Sequence, residues 1–177
     1  MPWYRQATDT PFGFRPDDEP LRCSRYLKDA SAAAIYPGDV VILEADGGLA
    51  VASTGSVNIV GAAHAYHAAS TLNNNFMVFD HPDQRFIAQD DGDTGIMTAT
   101  SVGARANITV TTGDTTTLQS LHEIDSSTAF TTSTLALSIL ALHPLENLSF
   151  ATTTGQQRKW VVGINNHLWS GYQQVGI

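Results

Sequence analysis

Apolar residues recur along this chain in short runs separated by turn residues, with no sustained helical period. "RFIAQ" alternates strictly, placing Phe86 and Ala88 on one side and Arg85, Ile87 and Gln89 on the other, as a half-buried strand does. "FMVF" is apolar throughout, as a strand covered on both faces is. "AAAIY" ends at the turn "PGD"; "VVILEA", the turn "DGG" and "LAVAS" then read as a hairpin. "VNIVGAAHAY" predicts a further strand with a glycine bulge. "ANITV", "LHEID", "TLALSILALHP" and "KWVVGINNH" complete the set. The recurrence, roughly one strand every ten to fifteen residues, is that of a compact β-barrel or β-sandwich-like domain. Helix is scarce: residues 98–106, "TATSVGARA", predict about two helical turns behind a Thr or Ser cap. "SSTAFTTSTLALSIL" fits either element, and its threonines and the alternation Leu135, Leu137, Ile139 favour strand. The class is therefore mainly β with one short helix.

The first 24 residues differ from the rest. Pro2, Pro11, Pro16 and Pro20 forbid a helix and favour extended chain. Aromatic side chains in such a segment need a surface to lie on, so residues 1–24 read as an extended arm and residues 25–177 as a single β-rich body.

Composition narrows the function. Hydrophobic residues make up 42%, enough for a sizeable core, but charged residues only 15%, against roughly 25% in ordinary soluble domains. Threonine fills the gap, as in "TVTTGDTTTL", and its branched Cβ suits strands. A net charge of −8 with nine basic residues leaves no phosphate-tracking patch, so nucleic acid is not an expected partner. No apolar run is long enough to span a membrane. The beginning, "MPWYRQATDTPFGFRP", has no apolar signal core. Cys23, the single cysteine, can form neither an internal disulfide nor a cysteine zinc site, and reads as inert.

The richest chemistry lies in "FMVFDHPDQRFIAQDDGDTG". Asp80, Pro82 and Asp83 read as a structural turn between two strands, the carboxylates accepting backbone N–H groups. Asp91 and Asp93 alternate like calcium-loop ligands, but "DGDTG" lacks the later bidentate Glu. Acid–base use of Asp80, His81 and Asp83 needs a partner from elsewhere in the chain. His64 and His67 would share a face on a helix and could hold zinc there, whereas on a strand they point apart. His122, His143 and His167 stand singly. No GxSxG, GxGxxG or P-loop motif occurs, and the sequon Asn147-Leu148-Ser149 reads as coincidental. The residues thus point to a structural or interaction protein, with no enzyme activity, cofactor or metal expected.

The order of several phrases adds to this. "FGFRP", "AAAIYPGDVVIL", "VGAAHAY", "VFDHPDQRFIAQ", "GARANI", "HEIDSSTAFTTSTLALSILAL" and "KWVVGINNH", spanning about Phe12 to His167, resemble a family of tailed-bacteriophage capsid decoration, or cement, proteins. "MPWYRQATDTP" and "DDEPLRC" depart from that pattern. The resemblance implies a virion protein, made in the host cytoplasm, that sits on the outer surface of the expanded head. It implies a homotrimer that clamps neighbouring major capsid protein subunits together. An arm could add a strand to a neighbour, with Trp3, Tyr4, Phe12, Phe14 and Arg15 as its anchors. Two alternatives stand beside it: another virion component, such as a fibre base, tail piece or carbohydrate-binding appendage, and a small metal-dependent hydrolase assembled from His64, His67, His81 and the acidic turn.

Overall fold

The computed structural model describes residues 9–29, 32–70, 73–93, 95–129, 133–144 and 157–170. The protein is mainly β, and it holds two strand assemblies. One is a closed barrel of β2 (Cys23–Lys28), β4 (Leu49–Val51), β3 (Val40–Leu43), β5 (Ile59–Ala63) and β6 (Asn73–Phe79), in that order. The other is a six-stranded sheet ordered β1 (Arg15–Pro16), β7 (Arg85–Gln89), β11 (Lys159–Ile164), β10 (Leu137–Leu142), β8 (Arg105–Thr109) and β9 (Glu123–Asp125). All its neighbours are antiparallel. The barrel ring closes where β2 meets β4 in parallel, through the pair Lys28↔Leu49.

Successive side chains of a strand point to opposite faces, and the barrel strands use both. In β3, Val41 faces a cluster with Ile35, Leu49, Val60, Phe76 and Val78, while Val40 joins the larger cluster that includes the sheet residues Phe86, Ala106, Ile139 and Trp160. In β5, Val60 and Ala63 belong to the first cluster, and Ile59 and Ala62 to the second. This is why "VVIL" and "IVGAA" carry so little polar alternation: each strand is apolar on both faces because each face meets a core. The bulge read at the glycine of "VNIVGAAHAY" is present. β3 pairs Val41↔Gly61 and then Ile42↔Ile59, so the register slips at Val60.

Three expectations are corrected. The helix over 98–106 is one 3-10 turn, Ala99–Ser101, after which Arg105 already begins β8. Ser101 Oγ accepts the Thr98 amide at 2.9 Å and closes the turn locally; Val102 N and Ala104 N donate back to Ala99 O and Ser101 O, at 3.3 and 3.0 Å, while Gly103 N already reaches the sheet at Ile139 O, 2.8 Å away. The stretch "SSTAFTTSTLALSIL" starts with a second 3-10 turn, Ser126–Thr128, capped where Asp125 Oδ1 accepts the Ser127 amide at 3.0 Å; strand begins only at Leu137, and residues 130–132 lie outside those described.

The third concerns the arm. Its expected end after residue 24 falls inside β2, and Arg15–Pro16 pairs with Ile87 and Phe86 at the edge of the sheet. Phe14, named as an anchor for a partner, is 1% exposed within this chain's own core, and its amide donates to Gly38 O at 2.8 Å. Buried there, it stabilises the fold and has no free face for a neighbour. Phe12 is half-buried between two cations, Arg15 at 5.3 Å and Lys159 at 5.6 Å from its ring centre. Arg15 is exposed. Trp3 and Tyr4 lie outside the described residues.

Candidate functional site

The turn between β6 and β7 has a different task from the one its sequence suggests. β6 belongs to the barrel and β7 to the sheet, so "DHPDQ" is the crossover between the two assemblies. Asp80 sits at the crossing, 2% exposed. Its carboxylate takes no backbone turn amide among the described residues. It accepts instead from three side chains of β2 and its approach: Arg22 Nε at 2.9 Å, Ser24 Oγ at 3.1 Å and Tyr26 Oη at 2.6 Å. Arg22 Nη2 also donates to the Asp80 carbonyl at 2.8 Å. The turn itself is closed by His81, whose Nδ1 accepts the Asp83 amide at 3.1 Å and whose carbonyl accepts the Gln84 amide at 2.9 Å. Asp83 is exposed and Pro82 half-buried. The reading of Asp80 and Asp83 as backbone acceptors is thus replaced by one in which His81 shapes the turn and Asp80 ties it to the barrel.

Electrostatics follow from these contacts. Burial pushes the Asp80 carboxyl upward, but the hydrogen bonds from Arg22, Tyr26 and Ser24 outweigh it and hold the group below the usual range. Burial, then the bond to Asp80, pushes the Tyr26 phenol up to about 12. The nearby Trp169 side chain acts the other way, favouring the ionised phenol. A cleft of about 530 Å³ opens over this network, lined by Arg22, Tyr26, Asp80, His81, Asp83 and Trp169 among others. Asp80→Ala would leave Tyr26 and Ser24 without their acceptor. It is expected to lower stability by about 3 kcal/mol, measured as a drop in the urea midpoint at unchanged slope.

A second polar cluster lies at the far end of β7. Asp90, 1% exposed, accepts the Trp160 indole at 2.7 Å and the Arg158 amide at 3.3 Å. Burial nevertheless pushes its carboxyl up to about 7. Gln89 Nε2 donates to Asp9 Oδ1 at 3.1 Å and to Glu123 Oε1 at 3.2 Å. Burial, then the charges of Asp9 and Asp91, push Glu123 up to about 7. Asp91 and Asp93, weighed as calcium ligands, are engaged by Ser126: its Oγ lies 2.6 Å from Asp91 Oδ1 and 3.1 Å from Asp93 Oδ1. Thr109 Oγ1 donates to Asp91 Oδ2 at 2.7 Å. These carboxylates pin the acidic loop to β8 and to the 3-10 turn after β9.

The histidines separate in the same way. His64 and His67 follow the end of β5 and meet different barrel rings edge-on, Phe79 at 5.2 Å and Phe76 at 4.8 Å. His122 is sealed with Asp39, both at most 2% exposed, and its Nδ1 accepts the Val40 amide at 3.1 Å. The ring proton therefore sits on Nε2, 3.4 Å from Asp39 Oδ1. Burial lowers the pKa of His122 and raises that of Asp39, so both are pushed toward neutrality. Burial likewise pushes the Cys23 thiol up, away from the reactive thiolate. Among the described residues, Asp29, Glu44 and Asp46 bring carboxylate oxygens within 4.8 Å of one another. Such an all-oxygen set suits a hard cation, but Asp46 Oδ1 already accepts the Gly48 amide at 2.9 Å as an ordinary turn residue.

The sequence reading singled out Asp80 and His81 but not Arg22, Tyr26 or Trp169, which complete the cleft. An aromatic and an arginine separated by 50 or more residues from their partner leave no local signal. Compared with known proteins, the chain matches no family model, no curated protein and no solved structure.

Proposed function

We propose that this protein is a capsid decoration protein: it binds the outside of the expanded phage head as a homotrimer and strengthens contacts between major capsid protein subunits. The observation that carries the reading is the character of the surface. Leu21, Val57, Val102 and Leu140 are each more than two-fifths exposed on a chain of only 15% charged residues. Val102 and Leu140 lie one residue to either side of the Gly103–Ile139 hydrogen bond, so they share one region of the sheet. Interface cores are poor in charge and rich in apolar area, and many weak copies on a lattice gain by avidity. The buried carboxylates and histidines, meanwhile, hold loops and strands together, which is scaffold work.

Quantitative mass spectrometry of purified virions tests the proposal. The expected result is a copy number close to that of the major capsid protein. A few copies per particle, or none, overturns it. The role of the N-terminal segment has its own test. Deleting residues 1–20 would remove Phe14 from the core, so the informative deletion is 1–8, which takes away Trp3 and Tyr4 and spares Phe14. That deletion is expected to weaken capsid binding tenfold or more at an unchanged melting temperature; unaltered binding removes the arm from the mechanism.

A further inference from the structure

We propose that the cleft above Asp80 is a binding site for a neutral saccharide. Its volume, about 530 Å³, lies within the range of roughly 300–1,000 Å³ usual for small-molecule sites. Three separate parts of the chain supply it: β2 and its approach give Arg22, Ser24 and Tyr26; the β6–β7 crossover gives Asp80 to Asp83; and the turn after β11 gives Trp169 and Ser170. Its floor is locked. Asp80 gathers Tyr26, Arg22 and Ser24 into one hydrogen-bonded network. The Trp169 amide bonds to His167 Nδ1 at 3.1 Å. His167 is 4% exposed and close enough to feel the charges of Asp80, Arg22 and His81, and its Nε2 has no hydrogen-bond partner meeting ordinary geometry. An aromatic platform held this firmly loses little freedom when a ligand settles on it.

The chemistry of the lining selects the ligand class. Arg22 is already neutralised by Asp80, and the Asp83 carboxylate stands exposed at the rim, so an anion meets no unspent positive charge. A cation finds the Asp80 carboxylate already spent on Arg22, Ser24 and Tyr26, and only the solvated Asp83 at the rim to pair with. A purely apolar ligand leaves the polar lining unpaired. A sugar ring fits all three constraints. Its C–H face is apolar and covers an indole, while its hydroxyls both donate and accept. Arg22 Nη1 and His81 Nε2 are donors beyond those spent on Asp80 and on the Asp83 amide, and Asp83 is an acceptor. On an exposed shell such a site would attach the particle to glycan-bearing surfaces, but the site is argued from the cleft alone and does not rest on the capsid reading.

The test is the intact chain, labelled on its amines, applied to an array of neutral and charged bacterial and animal glycans. The strongest feature is then titrated as a free oligosaccharide by calorimetry. Binding to neutral glycans is expected, with Trp169→Ala weakening it at least tenfold and Trp169→Phe, which keeps a ring, weakening it less. Nitrogen–proton correlation spectra of the unmutated protein provide a reading that no folding defect can disturb: the sugar should shift the Trp169 indole signal and leave that of buried Trp160 in place. No array feature above background, binding confined to charged glycans, or a titration that leaves the Trp169 signal unmoved would each overturn the proposal.

Discussion

Replacing Gly61 with alanine is expected to destabilise the protein by more than about 4 kcal/mol, enough to unfold many domains outright. Gly61 lies in β5 opposite Val41, at φ +155°, just past the bulge. A methyl group there would overlap the Phe79 carbonyl oxygen and come within 2.9 Å of its carbon and 3.1 Å of Val78 Cγ1. The first two obstacles are backbone atoms of β6, the neighbouring strand of a closed ring, and they cannot rotate away. β6 would have to move, and with it Asp80 at its end. Gly47 is the control. Its φ is +85°, but nothing lies within 4 Å of the added carbon, so alanine there bears only the backbone strain, about 1–2 kcal/mol. Urea unfolding of the two variants should separate by several kcal/mol. Equal losses would mean that β5 and β6 are looser than the ring implies.

The second large effect depends on pH. Asp90 has a carboxyl pushed up to about 7 by burial, against 3.8 for the unfolded chain. Between those values the folded protein keeps a proton that the unfolded chain has released. The native state therefore binds more protons, and this group's contribution to stability falls as pH rises through the interval. A difference of about three pH units corresponds to about 4 kcal/mol. Absolute profiles mix this with opposing groups. Burial lowers the pKa of His122 and of His167, so their contribution rises with pH up to the unfolded value of 6.5. The clean quantity is the difference between the wild type and Asp90→Asn, in which the histidine contributions cancel. Asparagine can still accept the Trp160 indole. Relative to the wild type, the variant should gain about 4 kcal/mol between about pH 4 and pH 8. Parallel profiles would show that the indole and the Arg158 amide keep Asp90 ionised throughout.

The strands were legible because each carries its own local pattern. "RFIAQ" buries Phe86 and Ala88 and exposes Arg85 as its alternation says, although Gln89 on the Arg85 face is buried too, 3% exposed and bonded to Asp9 and Glu123; the doubly apolar runs are the strands with a core on either side. The glycine bulge was legible because an isolated glycine in an apolar run has few other uses. What local pattern could not carry is which sheet a strand enters. "FMVF" and "RFIAQ" look like neighbours, yet they part at Asp80, whose partners lie 54 to 58 residues earlier. Phe14 was misread for a related reason. Prolines flank it, and prolines describe the backbone, whereas its burial depends on Gly38 and the sheet beyond. Trp160 and Asp90, 70 residues apart, form the same kind of pairing: neither residue signals the other until the fold brings them together.

The ring of the barrel closes unevenly. β2 runs against β6 over pairs from Cys23↔Phe79 to Lys28↔Asn73, but among the described residues its only register pair with β4 is Lys28↔Leu49, backed by the Asp29 amide on the Leu49 carbonyl at 3.3 Å. Tension applied through the N-terminal segment passes β1 and arrives at the Cys23 end of β2. Along β6 that load acts in shear, shared by the whole ladder at once. At β4 that one pair and the adjoining Asp29 bond have to bear whatever remains. The barrel is in this respect a buckle with a long strap and a small clasp: strong along the strap, and made to come undone at Lys28.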